Sequence, residues 1–143
     1  MIDPLDLTQI QYELSMSIGT SLDMDRMLKD ALSTFLRRLG GNAIGVHFRP
    51  GWDARYSLQP FTVPRSAVRF PLYIEAAAHL PTERESWQRL ARTLPLDGGT
   101  AETGFFHMLY LPGVGVLLLT RQNAPLEAVI VASLQPLLAR LAQ

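Results

Sequence analysis

The sequence predicts an α+β domain in which helices open and close the chain around an antiparallel sheet. Three stretches carry that expectation. The first, SLDMDRMLKDALSTFLRRLGGNAIGVHF (21–48), has an aspartate at the start of an amphipathic run, a Gly-Gly stop and then an apolar strand. The second, TGFFHMLYLPGVGVLLLTR (103–121), places two apolar strands around a Pro-Gly turn, as a hairpin requires. The third, Pro125 to Gln143, repeats Leu, Ile and Val at helical spacing.

Taken in order, the elements are as follows. Leu5, Leu7, Ile10, Leu14 and Ile18 recur among polar residues, with Asp3 as cap and Pro4 at the first helical position. Gly19 ends that helix. A second helix starts at Asp23, whose side chain can accept from the first-turn N–H groups, and Asp25 adds favourable charge at the same end. Met24, Met27, Leu28, Ala31, Leu32, Phe35, Leu36 and Leu39 form its apolar stripe, and Gly40-Gly41 stop it. In AIGVHF, Ile44, Val46 and Phe48 face one way while Gly45, His47 and Arg49 face the other. Pro50-Gly51 marks a turn, and ARYSLQPFTV reads as a second strand that Pro60 confines to an edge or cuts short.

The middle is less regular. AVRFPLYI reads as a short strand broken by Pro71, EAAAHL and TERESWQRLARTL as helical pieces, and PLDGGT as a loop. Thr82 and Glu85 are spaced as a capping box. The two strands of the 103–121 hairpin are apolar on both faces, so the sheet should be covered on both sides. Pro136 falls inside the last helix and should kink or restart it. The order is α-α-β-β-mixed-β-β-α, a single domain over 1–143.

Composition narrows the function. Thirteen basic residues balance thirteen acidic ones, so the broad positive field of a non-specific nucleic-acid binder is missing. Twelve of the basic residues are Arg. There are no cysteines, which removes disulfides, thiolate catalysis, Cys-based zinc sites and a thioether-linked chromophore. The N-terminus shows no secretory signal, and the apolar runs are shorter than the ~20 residues of a membrane span. The expectation is a cytoplasmic protein with no membrane insertion.

ELSMSIGTSLDMDRMLKDALSTFLRRLGG (13–41), followed by the first strand, resembles the GAF-type sensory domains that precede the kinase core of bacterial histidine kinases. So does the closing pattern YLPGVGVLLLTRQ with PLEAVIVASLQPLLARLA. The likeness covers the first 50 and the last 45 residues and rests mainly on apolar periodicity. It implies a GAF-like antiparallel sheet with N- and C-terminal helices packed on one face. A mixed loop and helix segment would roof a small-molecule pocket on the other face. It also implies dimerisation through the terminal helices and a downstream kinase or output domain. The chain departs from the family's better-known branches: it has no cyclic-nucleotide signature, no cysteine for a bilin or for sulfoxide reduction, and no kinase phosphoacceptor or ATP motif.

The functional reading is a sensory input domain of a signal-transduction protein, with a histidine kinase as the expected host. The alternative is a structural dimerisation module with a filled core. No constellation supports catalysis: the Gly pairs lie outside any phosphate-loop pattern, and Ser15, Ser17 and Ser21 lack a nucleophile-elbow context. No cofactor is required by the sequence, and neither His-x₃-His nor a carboxylate at ligand spacing marks a metal site.

Candidate ligand-binding residues are His47, Trp52, Tyr56, Phe70, Trp87 and His107. The histidines sit on strands, where both could point at the pocket face and ligate a haem iron or metal, or simply pack as satisfied polar groups. The aromatics belong to a set with Phe61 and Tyr73 that either walls a pocket or fills a core. Arg49, Arg55, Arg65 and Arg69 could hold an anion or form a solvated face. Residues 1–20 and 125–143 are candidate dimerisation and signalling helices. Their candidate interface residues are Leu7, Ile10 and Leu14 on the first, and Ile130, Leu134 and Leu138 on the second. Alternatively, the sheet consumes the whole stripe.

Overall fold

The computed structural model describes residues 24–49, 60–81, 84–112 and 114–141. Helix α1 spans Met24–Leu39. Leu28, Ala31, Leu32, Phe35 and Leu39 of the stripe expected from the sequence are buried, and Met27 and Leu36 are partly buried against them. The helix stops because Gly40 adopts a φ of 70°, which an L side chain rarely takes. The Gly40 and Gly41 N–H groups then both donate to the Leu36 carbonyl, satisfying an acceptor the helix end would leave open. Arg37 and Arg38 lie in the last turn, as the helix dipole favours. The first helix of the sequence reading and the Asp23 cap lie outside the described residues, as does Thr82 of the capping box.

Among the described residues, five strands form one antiparallel sheet: β1 (Ala43–Phe48), β2 (Phe61–Val63), β3 (Leu96–Thr100), β4 (Gly104–Leu111) and β5 (Gly115–Arg121), in the order β2-β1-β5-β4-β3. Strand β2 begins immediately after Pro60 and lies at an edge, where the missing N–H of proline costs no ladder bond. Strands β4 and β5 pair as the expected hairpin and are buried on both faces.

Two layers provide that cover. On one face, α1 and the last helix α4 (Ala128–Leu141) pack on Ile44, Val46, Phe48, Leu109, Leu111, Leu117 and Leu119. On the other lie a 3-10 turn (Arg65–Arg69), helix α2 (Pro71–Ala77) and helix α3 (Arg84–Thr93). They pack Ala67, Tyr73, Ala76 and Trp87 onto Ala43, Phe106, Met108, Val116 and Leu118. The architecture is therefore α+β, a five-stranded antiparallel sheet with helices on both faces.

Three local expectations change. Pro71 does not break a strand; it occupies the first turn of α2, where a missing N–H costs nothing and the fixed φ suits a helix. LDGGT is a strand rather than a loop: β3 pairs with β4 over its whole length, and the Thr103 N–H donates to the Thr100 hydroxyl in the turn between them. Pro136 does not restart the last helix, which runs through it to Leu141 with the proline ring exposed.

Candidate functional site

Strand alternation decides which side chains meet. His47 pairs with Val116 in the ladder, and His107 pairs with Leu119. Val116 and Leu119 are three residues apart on one strand, so the two histidines point to opposite faces. This corrects the expectation that both face a common pocket.

His107 belongs to the α1/α4 side and is fully buried. Its Nδ1 lies 2.7 Å from the carboxylate of Asp97, its cross-strand partner on β3. Its Nε2 accepts the Leu126 N–H at 2.9 Å. Since Nε2 must offer a lone pair, the ring hydrogen sits on Nδ1 and is donated to Asp97. Both nitrogens are used, and none remains for an iron or another metal. His107 is a tie between the sheet and the segment that leads into α4, not a ligand-facing residue.

His47 lies on the α2/α3 side, half-buried. Its Nε2 is 2.8 Å from the Tyr73 hydroxyl, and the two rings stack with centroids 5.7 Å apart. Burial pushes the His47 pKa down to about 4 and raises that of Tyr73 above the ordinary phenol range. Near neutral pH the pair is thus an uncharged imidazole and an intact phenol. Nδ1 of His47 has no hydrogen-bond partner among the described residues. Tyr73 reaches this position because β1 has a glycine opposite it: a Cβ at Gly45 would collide with the Tyr73 hydroxyl and come within 2.9 Å of the Thr62 methyl. Tyr73 belongs to one buried cluster with Met108, Val116, Leu118, Phe106 and Trp87, and Val116 is the ladder partner of His47.

Of the other sequence candidates, Trp87 is buried in this layer and Phe70 is partly buried against it. Trp52 and Tyr56 lie outside the described residues, as do Leu7, Ile10 and Leu14. Ile130, Leu134 and Leu138 are buried against the sheet of their own chain, with Leu134 and Leu138 at 0% exposure. They cannot also form a dimer surface; among the described side chains, the large apolar residue that α4 turns outward is Val129, at 64%. Tyr73, which the sequence offered only as one of the aromatics that either wall a pocket or fill a core, is the residue that meets His47. Its signal was present but faint: a tyrosine two residues after a helix-starting proline, in a segment read as a broken strand. Among the described residues, no group of three His, Cys, Asp or Glu side chains could hold a metal, and no helix is long and apolar enough to cross a membrane.

No protein-family model matches the chain, and no curated protein matches it. Among solved structures, it is similar to CepR2 from Burkholderia cenocepacia, an N-acylhomoserine-lactone-dependent transcription factor of the LuxR family. The TM-score is 0.55, the match covers 96% of this chain and 92% of that one, and the sequence identity is 16%. At that identity the likeness is one of fold.

Proposed function

We propose that this chain is a cytoplasmic sensory input domain, GAF-like in type, that recognises a small molecule on the α2/α3 face of its sheet. The observation that carries the reading is the His47–Tyr73 pair: a neutral hydrogen-bonding couple set in an apolar, aromatic-lined face, with one imidazole nitrogen that has no partner among the described residues. An apolar layer with a few placed polar groups is the usual chemistry of a small-ligand site. The matching ligand is uncharged at its buried end and carries one hydrogen-bonding group that joins, or replaces, the phenol–imidazole contact. The domain itself performs no catalysis in this reading.

Transmission runs through β4, which is buried on both faces. Phe106 and Met108 look toward the ligand layer, while His107 and Leu109 look toward the signalling helix. His107 holds the Leu126 N–H just ahead of α4, and the Gln135 side chain donates to the Tyr110 carbonyl. A ligand that favours one packing of this layer shifts the population of the α4 arrangement. The resemblance to GAF domains favours a histidine kinase as the recipient, acting as a homodimer; the fold likeness to CepR2 adds a transcription-factor output as the alternative.

A second reading, a ligand-free dimerisation module, has its own observation: Tyr73, Trp87 and Phe106 already fill the α2/α3 layer to 8% exposure or less. Native and denaturing mass spectra of freshly purified protein separate the two. A dimer carrying a small, denaturation-labile increment is the expected result for the sensor, and His47→Gln should lower its occupancy. A dimer of bare chain mass that no compound in a thermal-shift screen stabilises supports the module instead. A bare monomer removes the homodimer from both.

A further inference from the structure

A cleft of about 680 Å³ opens beside the edge strand, lined by Pro60, Phe61, Thr62, Arg65, Val68 and Arg69. Its volume is in the range of small-molecule sites. The lining is of two kinds. Pro60, Phe61 and Val68 supply apolar surface, and Val68 is an exposed large hydrophobic residue. Arg65 and Arg69 supply two guanidinium groups, both exposed. Neither forms an ion pair among the described residues, and no acidic residue occurs from Pro60 to Ile74. The 3-10 geometry brings Arg65 and Val68 onto one side, because residues three apart eclipse in that helix. A cation and an apolar group thus share the wall of one cleft.

We propose that this cleft binds a small organic anion: an aromatic or aliphatic body carrying a phosphate monoester or a carboxylate. The charged group meets Arg65 and Arg69, whose planar forks suit such oxygens, and the body lies against Phe61, Pro60 and Val68. The inference is independent of the sensory reading, since it uses neither His47 nor Tyr73. It concerns a charged ligand at the sheet edge, whereas the sheet-face ligand is uncharged where it is buried. Hydroxyl and backbone geometry at the cleft are already fixed, with the Thr62 hydroxyl donating to the Arg65 carbonyl.

Isothermal titration of the purified chain with phenyl phosphate and benzoate tests this, with inorganic phosphate and benzyl alcohol as partial ligands. The expected result is saturable binding of at least one organic anion, about tenfold or more tighter than either partial ligand. Binding should weaken by about tenfold or more in Arg65→Gln/Arg69→Gln, where both exposed guanidiniums are removed. Arg92→Gln, an exposed arginine on α3, should leave it unchanged. Equal affinity in the double variant, equal affinity for inorganic phosphate, or no saturable binding of either organic anion would overturn the proposal. None of these outcomes bears on a ligand at His47.

Discussion

The two faces of the sheet each carry one histidine, and the two residues do opposite work. His107 is closed: one nitrogen is committed to Asp97, the other to the Leu126 N–H, and the ring is fully buried. His47 is half open: one nitrogen meets a phenol and the ring is partly accessible. Residue type and strand position are alike in the two cases. What differs is what surrounds each ring: a carboxylate on the neighbouring strand and a backbone segment ahead of α4 for His107, a tyrosine from a short helix for His47. A histidine on a strand therefore says little about function until its partners are known.

The comparison can be broken from either end. The largest effect is expected at the closed end. His107→Ala removes a buried ring and leaves the Leu126 N–H and the Asp97 carboxylate without their partner. Cavity and lost hydrogen bonds together should cost about 3–4 kcal/mol, read as a lowered urea midpoint with an unchanged slope. A loss below about 1 kcal/mol would show that the tie to α4 carries little.

At the open end the pH profile is the next largest. The His47 pKa lies near 4 in the fold, against about 6.5 for an unfolded histidine. Above pH 6.5 both states are neutral at this position and the full stability is present. As pH falls from 6.5 toward 4, the unfolded chain takes up a proton that the folded chain refuses, and stability drops by up to about 3 kcal/mol. Urea titrations across that window should show the drop in the wild type and a flatter curve in His47→Gln. Parallel curves would place the His47 pKa near its ordinary value and remove the neutral-imidazole argument.

The smallest and sharpest effect concerns Gly45. Gly45→Ala puts a methyl group where the Tyr73 hydroxyl sits, and should destabilise by about 1–2 kcal/mol through overpacking. Tyr73→Phe deletes the nearer of the two colliding groups and leaves the Thr62 methyl, so the double variant should lose less than the sum of the two single changes. Additive losses would mean that the phenol does not lie over Gly45.

The legible parts of this chain were those whose signal is local. Helix α1 announces itself through its stripe and its Gly40 stop, and the β4–β5 hairpin through apolar runs around Pro112-Gly113. The illegible parts were those where a neighbour decides. LDGGT has the composition of a loop; it is a strand because β4 pairs with it and the Phe106 ring lies over Gly98. Pro71 fits a strand break and a helix start equally well, and the packing of Leu72, Tyr73 and Ala76 into the sheet settles it. The site shared that fate. His47 was visible as a strand histidine, but its partner is 26 residues away on an element the sequence did not reveal.

By itself, then, the sequence determined the α+β class, a sheet covered on both sides and the apolar stripes of the long helices. All of these follow from periods of two and 3.6 residues and from turn chemistry within a few residues. Tertiary structure decided the strand order, which histidine is closed and which is open, and the fate of the Ile130, Leu134 and Leu138 stripe, used up in the core of its own chain. These outcomes depend on register and on contacts between residues distant in the chain, where a shift of one residue sends a side chain to the other face of the sheet.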